Sequence, residues 1–250
     1  MIKDIKKLIF TYRNDLFNYQ KNSIFESIYR SLAIITFPLT RRISPNLISL
    51  ISVFLSFIAL MFVNMINLNY LIIFFIISFI LDFSDGLVAR YYKKTSFNGR
   101  FIDGLFDIII LGFLHIILFQ NIIEKENLFK NYFYLLVIFL LPMQHLIIDR
   151  YSSIARWINE QSRRNLVTYY RNIFLGKFTK SLYDLQHLCI WLLITGKLFN
   201  FYLIEIFFIL SFVASISNLG IYIYLSRKNF SLIENQDDNN VNNNNNNNNK

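Results

Sequence analysis

The chain reads as an all-α polytopic membrane protein, with six transmembrane helices preceded by an N-terminal interfacial amphipathic helix. Three observations predict this. Hydrophobic residues make up 54 % of the 250 and aromatic residues 18 %, with only 3 Pro and 7 Gly, a membrane composition rather than that of a soluble core. Apolar stretches near the ~20 residues that a bilayer requires recur at 46–66, 70–90, 101–121, 131–149, 183–199 and 203–225. Lys and Arg then fall on alternate connections: 8 before the first stretch, 4 between the second and third, 7 between the fourth and fifth, and 3 after the sixth, which is 22 of the 25. Only Lys125, Lys130 and Lys197 lie on the other side. Positive residues are retained in the cytoplasm, so both termini are expected there.

The elements follow in order. Residues 1–45 form a cytoplasmic arm. Met1–Asn22 is charged and has no apolar core of the kind a cleavable signal needs, so the first span is expected to act as the signal. Ser23–Leu39, SIFESIYRSLAIITFPL, mixes apolar and charged positions at helical spacing. That suits a helix in the membrane interface, and an ordinary helical extension of the first span fits the pattern equally. Residues 46–228 are expected to form one six-span domain without internal repeats. In the fourth span Pro142 is expected to kink the helix and free a backbone carbonyl. Asp149-Arg150 at its cytoplasmic end reads either as a structural ion pair or as part of an acceptor site. His115, His145 and His187 are read as packed, hydrogen-bonded residues without a carboxylate or cysteine at metal-ligand spacing on their own helices. Cys189, the only cysteine, has no intrachain partner and packs. Residues 229–250 end in NQDDNNVNNNNNNNNK, which cannot bury enough apolar surface to fold and is expected to be disordered.

The net charge of +9 therefore belongs to one face of the membrane, where it meets anionic lipid head groups and phosphorylated substrates. Nucleic acid is not the expected partner, because the basic residues flank spans and no binding motif accompanies them.

Against this background residues 81–107, LDFSDGLVARYYKKTSFNGRFIDGLFD, stand out. An ionisable side chain at the centre of a spanning helix costs about 2.5–3.5 kcal/mol, so four aspartates cost on the order of 10 kcal/mol unless something compensates them. Asp82, Asp85, Gly86 and Ala89 share one helical stripe, and Gly99, Asp103 and Asp107 share another on the next helix. Eight residues lie between Arg90 and Gly99, a length that suits a tight turn between antiparallel spans. Asp82 and Asp107 each lie twelve residues from the outer end of their spans, about 18 Å, and Asp85 and Asp103 lie about 22–24 Å in. The four carboxylates are thus expected at one level, in a pocket open to the cytosol. They cannot remain as four bare anions in a low dielectric. Oxygen donors in this number suit hard divalent cations, Mg²⁺, Mn²⁺ or Ca²⁺, and no nearby His or Cys argues for zinc. Two such ions about 3.5–4 Å apart can hold a diphosphate for in-line displacement. Small residues at Gly86 and Ala89 leave room for a nucleotide, and Arg90 is placed to bind phosphate.

Read as Asp82-x2-Asp85-Gly86-x2-Ala89-Arg90-x8-Gly99-x3-Asp103-x3-Asp107, the stretch resembles the complete signature of the CDP-alcohol phosphatidyltransferase family. Eight specified residues at about one in fifteen each would meet by chance on the order of once in ten million. The preceding Ser44-Pro45-Asn46-Leu47-Ile48-Ser49 also resembles the family's lead into its first span. The resemblance implies a homodimer of six-span chains, embedded in the endoplasmic reticulum or the bacterial inner membrane. Its implied reaction, in phospholipid biosynthesis, moves a substituted phosphate from a CDP-linked lipid or head group to an alcohol acceptor and releases CMP. It implies that Asp82, Asp85 and Asp103 bind two divalent ions, Mg²⁺ or Mn²⁺, and that Asp107 contributes to that site and acts as the catalytic base. Gly86, Ala89, Arg90 and Gly99 would frame the CDP.

Two other classes also use such carboxylates. A cation transporter would employ them as a transit site, with no need of Gly86, Ala89 or Arg90. An aspartate-rich membrane prenyltransferase would place its paired motifs on well-separated helices rather than on one hairpin. For an acceptor with its own phosphate, Arg156, Arg163, Arg164 and Arg171 are the candidate clamps, with contact to anionic lipid as the plainer reading of each.

Overall fold

A computed structural model of the chain describes residues 23–94, 97–123, 127–162, 174–195 and 200–247, and all regular structure in them is helical. Among these described residues seven helices follow one another: α1 (Ile24–Thr40), α2 (Pro45–Met61), α3 (Leu68–Tyr91), α4 (Phe97–Ile122), α5 (Leu128–Ser162), α6 (Phe174–Thr195) and α7 (Asn200–Asn247).

The start of α1 is set by a capping box. The Ser23 hydroxyl accepts from the Glu26 N–H at 3.1 Å, and the Ser23 N–H donates to the Glu26 carboxylate at 3.3 Å, so donors orphaned at the helix start are satisfied locally. The next donors reach much further. The Ile24 and Phe25 N–H groups donate to the Asp184 carboxylate of α6 at 3.1 and 2.9 Å. Tyr29, Ala33, Phe37 and Thr40 face the protein, while Ile24, Ile28, Ile35 and Leu39 form an exposed apolar stripe on the other side. A helix with protein under one face and apolar residues along the opposite one fits the interfacial reading. Its axis turns by 114° into α2, which Pro45 begins at the first helical position.

α3 is the most buried of the long apolar helices. Leu71, Ile72 and Phe75 meet Ile110, Leu114 and Ile117 of α4, Leu193 of α6 and Phe208 of α7 in the main core. Polar side chains tie the helices together inside it. His115 contacts the Leu111 carbonyl at 2.8 Å and the Ser211 hydroxyl at 3.1 Å, to which Gln186 also donates. His187 meets the Tyr29 hydroxyl at 2.9 Å, and Cys189 is buried without a disulfide. All three fit the packing roles read from the sequence.

Six spans are expected. Among the described residues four helices are long and apolar enough to cross a bilayer, Leu68–Tyr91, Phe101–Ile122, Leu128–Asn159 and Phe201–Asn229, or five if the bent pair α1 and α2 is one span. α2 has 17 residues, about 25 Å, which is short of a ~30 Å core. α6 begins inside the predicted cytoplasmic loop with Lys177, Lys180 and Asp184 in its first half, which leaves a short apolar remainder. α5 is assigned as one 35-residue helix through Pro142. At the other end α7 is assigned as far as Asn247. Extending an established helix adds one hydrogen bond per residue fixed and needs no new nucleus, so a helix begun in the apolar stretch runs on through a sequence with no core of its own.

Candidate active site

The predicted aspartates come together where the C-terminal half of α3 meets the N-terminal half of α4. One carboxylate oxygen each from Asp82, Asp85 and Asp103 lie within 4.8 Å of one another. Asp85 is buried at 3 % exposure. Asp107 stands outside that trio, one turn further along α4 than Asp103, and acts electrostatically on Asp82. The helical spacings explain the convergence: i, i+3 on α3 and i, i+4 on α4 each set two carboxylates on one stripe, and the stripes face one another.

The third wall is α2. α4 packs chiefly on α2 and meets α3 over a narrower contact, so the two signature helices enclose a gap rather than a tight seam. A cleft of about 180 Å³ occupies it, lined by Pro45, Asn46 and Ser49 of α2, by Asp85, Gly86, Ala89, Arg90 and Lys94 on and just beyond α3, and by Gly99 and Asp103 of α4. All four residues expected to frame a nucleotide are therefore on its wall. Ser49 donates a hydrogen bond to the Asp85 carboxylate. Sequence reasoning quoted the Ser44–Ser49 stretch without giving Ser49 or Asn46 a role, although the polar positions Ser49, Ser52 and Ser56 at helical spacing already marked the face of α2 that turns inward.

Gly86 has a more local reason to be small than ligand access alone. A β-carbon there would sit 3.3 Å from one terminal nitrogen of Arg90 and 3.4 Å from the other, so the guanidinium lies folded across the glycine one turn back along α3. The same guanidinium acts electrostatically on Asp103 across the cleft. Arg90 thus links the glycine wall to a carboxylate of the trio.

The donor set can be tested against a metal. Asp82 Oδ1 is buried and has no hydrogen-bond partner among the described residues, which is costly for a carboxylate unless a cation takes it up. Three converging carboxylates without nitrogen or sulfur donors in the trio suit a hard divalent ion. The residues fit.

Other candidates fall elsewhere. No ion pair joins Asp149 to Arg150 among the described residues; Asp149 instead acts electrostatically on Asp107 and on His145. His145 therefore does have a carboxylate four residues along its own helix, contrary to the sequence reading, which looked for metal motifs and passed over this pair. Arg156 is exposed and donates to the Ser152 carbonyl at 3.1 Å. Arg163, Arg164 and Arg171 lie outside the described residues.

Comparison with known proteins agrees with this geometry. The family model described as CDP-alcohol phosphatidyltransferase matches residues 42–213, which span α2 to α7 and hold every residue of the cleft. No curated protein and no solved structure matches the chain.

Proposed function

We propose that this chain, which belongs to the CDP-alcohol phosphatidyltransferase family, transfers the substituted phosphate of a CDP-linked donor to an alcohol and releases CMP in phospholipid synthesis. One observation carries the reading: the Asp82, Asp85 and Asp103 oxygens converge within 4.8 Å beside a cleft walled by Gly86, Ala89, Arg90 and Gly99. A cation path has no use for that wall, whereas a nucleotide needs small residues and an arginine beside the diphosphate.

Asp82, Asp85 and Asp103 would hold two divalent ions, Mg²⁺ or Mn²⁺, with Asp107 contributing to the site. When bound, such ions neutralise charge on the diphosphate and make CMP a tolerable leaving group. The remaining steps belong to the chain's own side chains. Ala89 and Gly99 let the nucleotide lie close to backbone, Gly86 makes room for the Arg90 guanidinium folded across it, and Arg90 binds a phosphate oxygen. Asp107 takes the proton from the acceptor hydroxyl as its oxygen attacks the β-phosphorus. The new O–P bond forms as the bond to the CMP oxygen breaks. Ser49 holds Asp85 in orientation.

The acceptor and the direction of the donor, CDP-diacylglycerol or a CDP-linked head group, are open to one assay. Membranes containing the protein are given radiolabelled CDP-diacylglycerol with Mn²⁺ and glycerol phosphate, inositol, inositol phosphate, serine or a second phospholipid in turn. A parallel set receives CDP-choline or CDP-ethanolamine with diacylglycerol. CMP release in one arm identifies the pair. Absence of release in every arm, together with no metal-dependent CDP binding by the purified protein, would overturn the reading.

We further propose that the site faces the cytosol and that the chain works as a homodimer, as the family resemblance implies. The 22-to-3 distribution of Lys and Arg supports the orientation. An Arg156→Cys variant in a Cys189→Ala background should resist an impermeant thiol reagent until the membrane is opened, and labelling of sealed, right-side-out cells would reverse the orientation.

A further inference from the structure

We infer that Lys94 is a nucleotide-binding residue of this cleft, donating to a phosphate oxygen of the CMP part of the donor at the cytoplasmic mouth. The inference rests on the CDP-donor reading above and adds to it a residue outside the eight-residue signature.

The geometry begins with how α3 ends. The Tyr92 N–H donates to the Val88 carbonyl at 3.1 Å, the Lys93 N–H to Arg90 at 3.2 Å and the Lys94 N–H to Ala89 at 2.8 Å. The last two bonds are the paired closure of a Schellman turn. Such a turn needs a left-handed residue, and Lys93 supplies it with φ 54°, the one non-glycine residue with positive φ among those described. Glycine or asparagine takes this conformation with less strain. A lysine held there shows that the surrounding turn dictates the bend.

The bend places the next residue. Had α3 continued, residue 94 would stand about 6 Å further along the axis than Arg90. Instead the chain folds back over its last turn, and Lys94 lines the same wall as Ala89 and Arg90. Its ammonium sits 6.0 Å from the centre of the Tyr92 ring, a cation–π contact at the mouth.

The charge on the wall gives this cation a task. Arg90 lies across Gly86 and acts on Asp103, so part of its charge answers a carboxylate of the trio. Asp85 and Asp103 hold the inner end of the cleft, and the nucleotide must extend from there towards the mouth. The phosphate of the CMP part is anionic in the bound donor and in the product alike, and a lysine with three donors and no acceptor suits its oxygens.

The test uses the full-length protein, purified and monodisperse, with Mn²⁺. Lys94→Ala should raise the inhibition constant of CMP and the KM of the CDP donor about tenfold, the size of one charged hydrogen bond, with kcat within about twofold. Lys94→Arg should recover most of the loss. Inhibition by cytidine, which has no phosphate, should not change. An unchanged CMP constant in Lys94→Ala, or a cytidine constant that shifts as far as that of CMP, would overturn the inference. Asp85→Asn, measured alongside for CDP binding, separates the two levels of the reading. If it leaves metal-dependent CDP binding intact, the donor site itself is misassigned; if it abolishes binding while Lys94→Ala is silent, only the role of Lys94 fails.

Discussion

The seam between α2 and α3 and the gap between α3 and α4 both bury oxygen atoms inside the helix bundle, and they treat them differently. Along the first, the Ser52 hydroxyl donates to the Ser49 carbonyl and Ser56 to the Ser52 carbonyl, while Ser78 reaches the Ser52 and Phe74 carbonyls at 2.9 Å each. The Ser56 and Ser78 hydroxyls also meet at 3.0 Å. Those hydroxyls find all they need within the two helices, and their small size lets the helices approach closely. In the gap, carboxylates of like charge face one another, and Asp82 Oδ1 is left without a partner among the described residues. A buried polar group that the protein satisfies is glue, and one it leaves unsatisfied is a demand on something from outside. Ser49 belongs to both regions, its hydroxyl lying within reach of the Pro45 carbonyl of its own helix and of the Asp85 carboxylate of the site.

The largest expected effect comes from taking a charge out of the gap. Asp85→Asn should lose metal-dependent CDP binding and turnover together, and chelation of the wild type should abolish CMP release until Mg²⁺ or Mn²⁺ is returned. Calorimetry with Mn²⁺ and CDP reads both; an Asp85→Asn protein that still binds CDP as tightly as wild type would erase the distinction between gap and seam. Asp107→Asn sharpens it further, because that residue stands outside the trio. Its kcat should fall about 10²–10⁴-fold, the usual worth of a general base, with CDP still bound, and loss of binding as complete as in Asp85→Asn would remove the base assignment.

Changes along the seam should act on stability instead. Ser78→Leu forces a larger side chain between α2 and α3 and should cost about 1–3 kcal/mol, seen as a lower Tm in detergent. Ser78→Ala should cost less, about 0.6–1.5 kcal/mol. In either variant, CDP affinity per folded molecule should stay at the wild-type value, and a metal-binding defect in Ser78→Ala would show that the seam is part of the site. The smallest effect is expected at the far end. A chain ending at Asn235 should keep its activity in membranes, and a loss beyond about tenfold, roughly 1.4 kcal/mol, would give the Asn-rich end a function.

The gap was legible because its information is local. Helical spacing alone sets Asp82 with Asp85 and Asp103 with Asp107, and the eight-residue connection brings the two stripes together. The α2 wall was half legible: Ser49, Ser52 and Ser56 mark an inward face, yet nothing in their spacing says which helix that face meets. The span count was read from apolar length, which cannot tell a 17-residue helix bent by 114° from a full crossing. The link between His145 and Asp149 was missed although they are four residues apart, because its significance depends on Asp107 of another helix. Asp184 gave no signal at all. It is one acidic residue in a basic stretch, and its partners are backbone groups at the other end of the chain.

That last contact has a consequence for how the protein is made. Ile24 waits for a carboxylate 160 residues downstream, and at a synthesis rate of about 5–20 residues per second the wait lasts roughly 8–32 s. During that interval α1 has its capping box, but the two N–H groups bound for Asp184 must find water or lipid head groups. The start of α1 is therefore among the last parts to be fastened, although the body of that helix packs on α3. It closes like a latch on a bundle that α6 has only just joined, and a chain whose synthesis stops before α6 has its arm unlatched at the membrane surface.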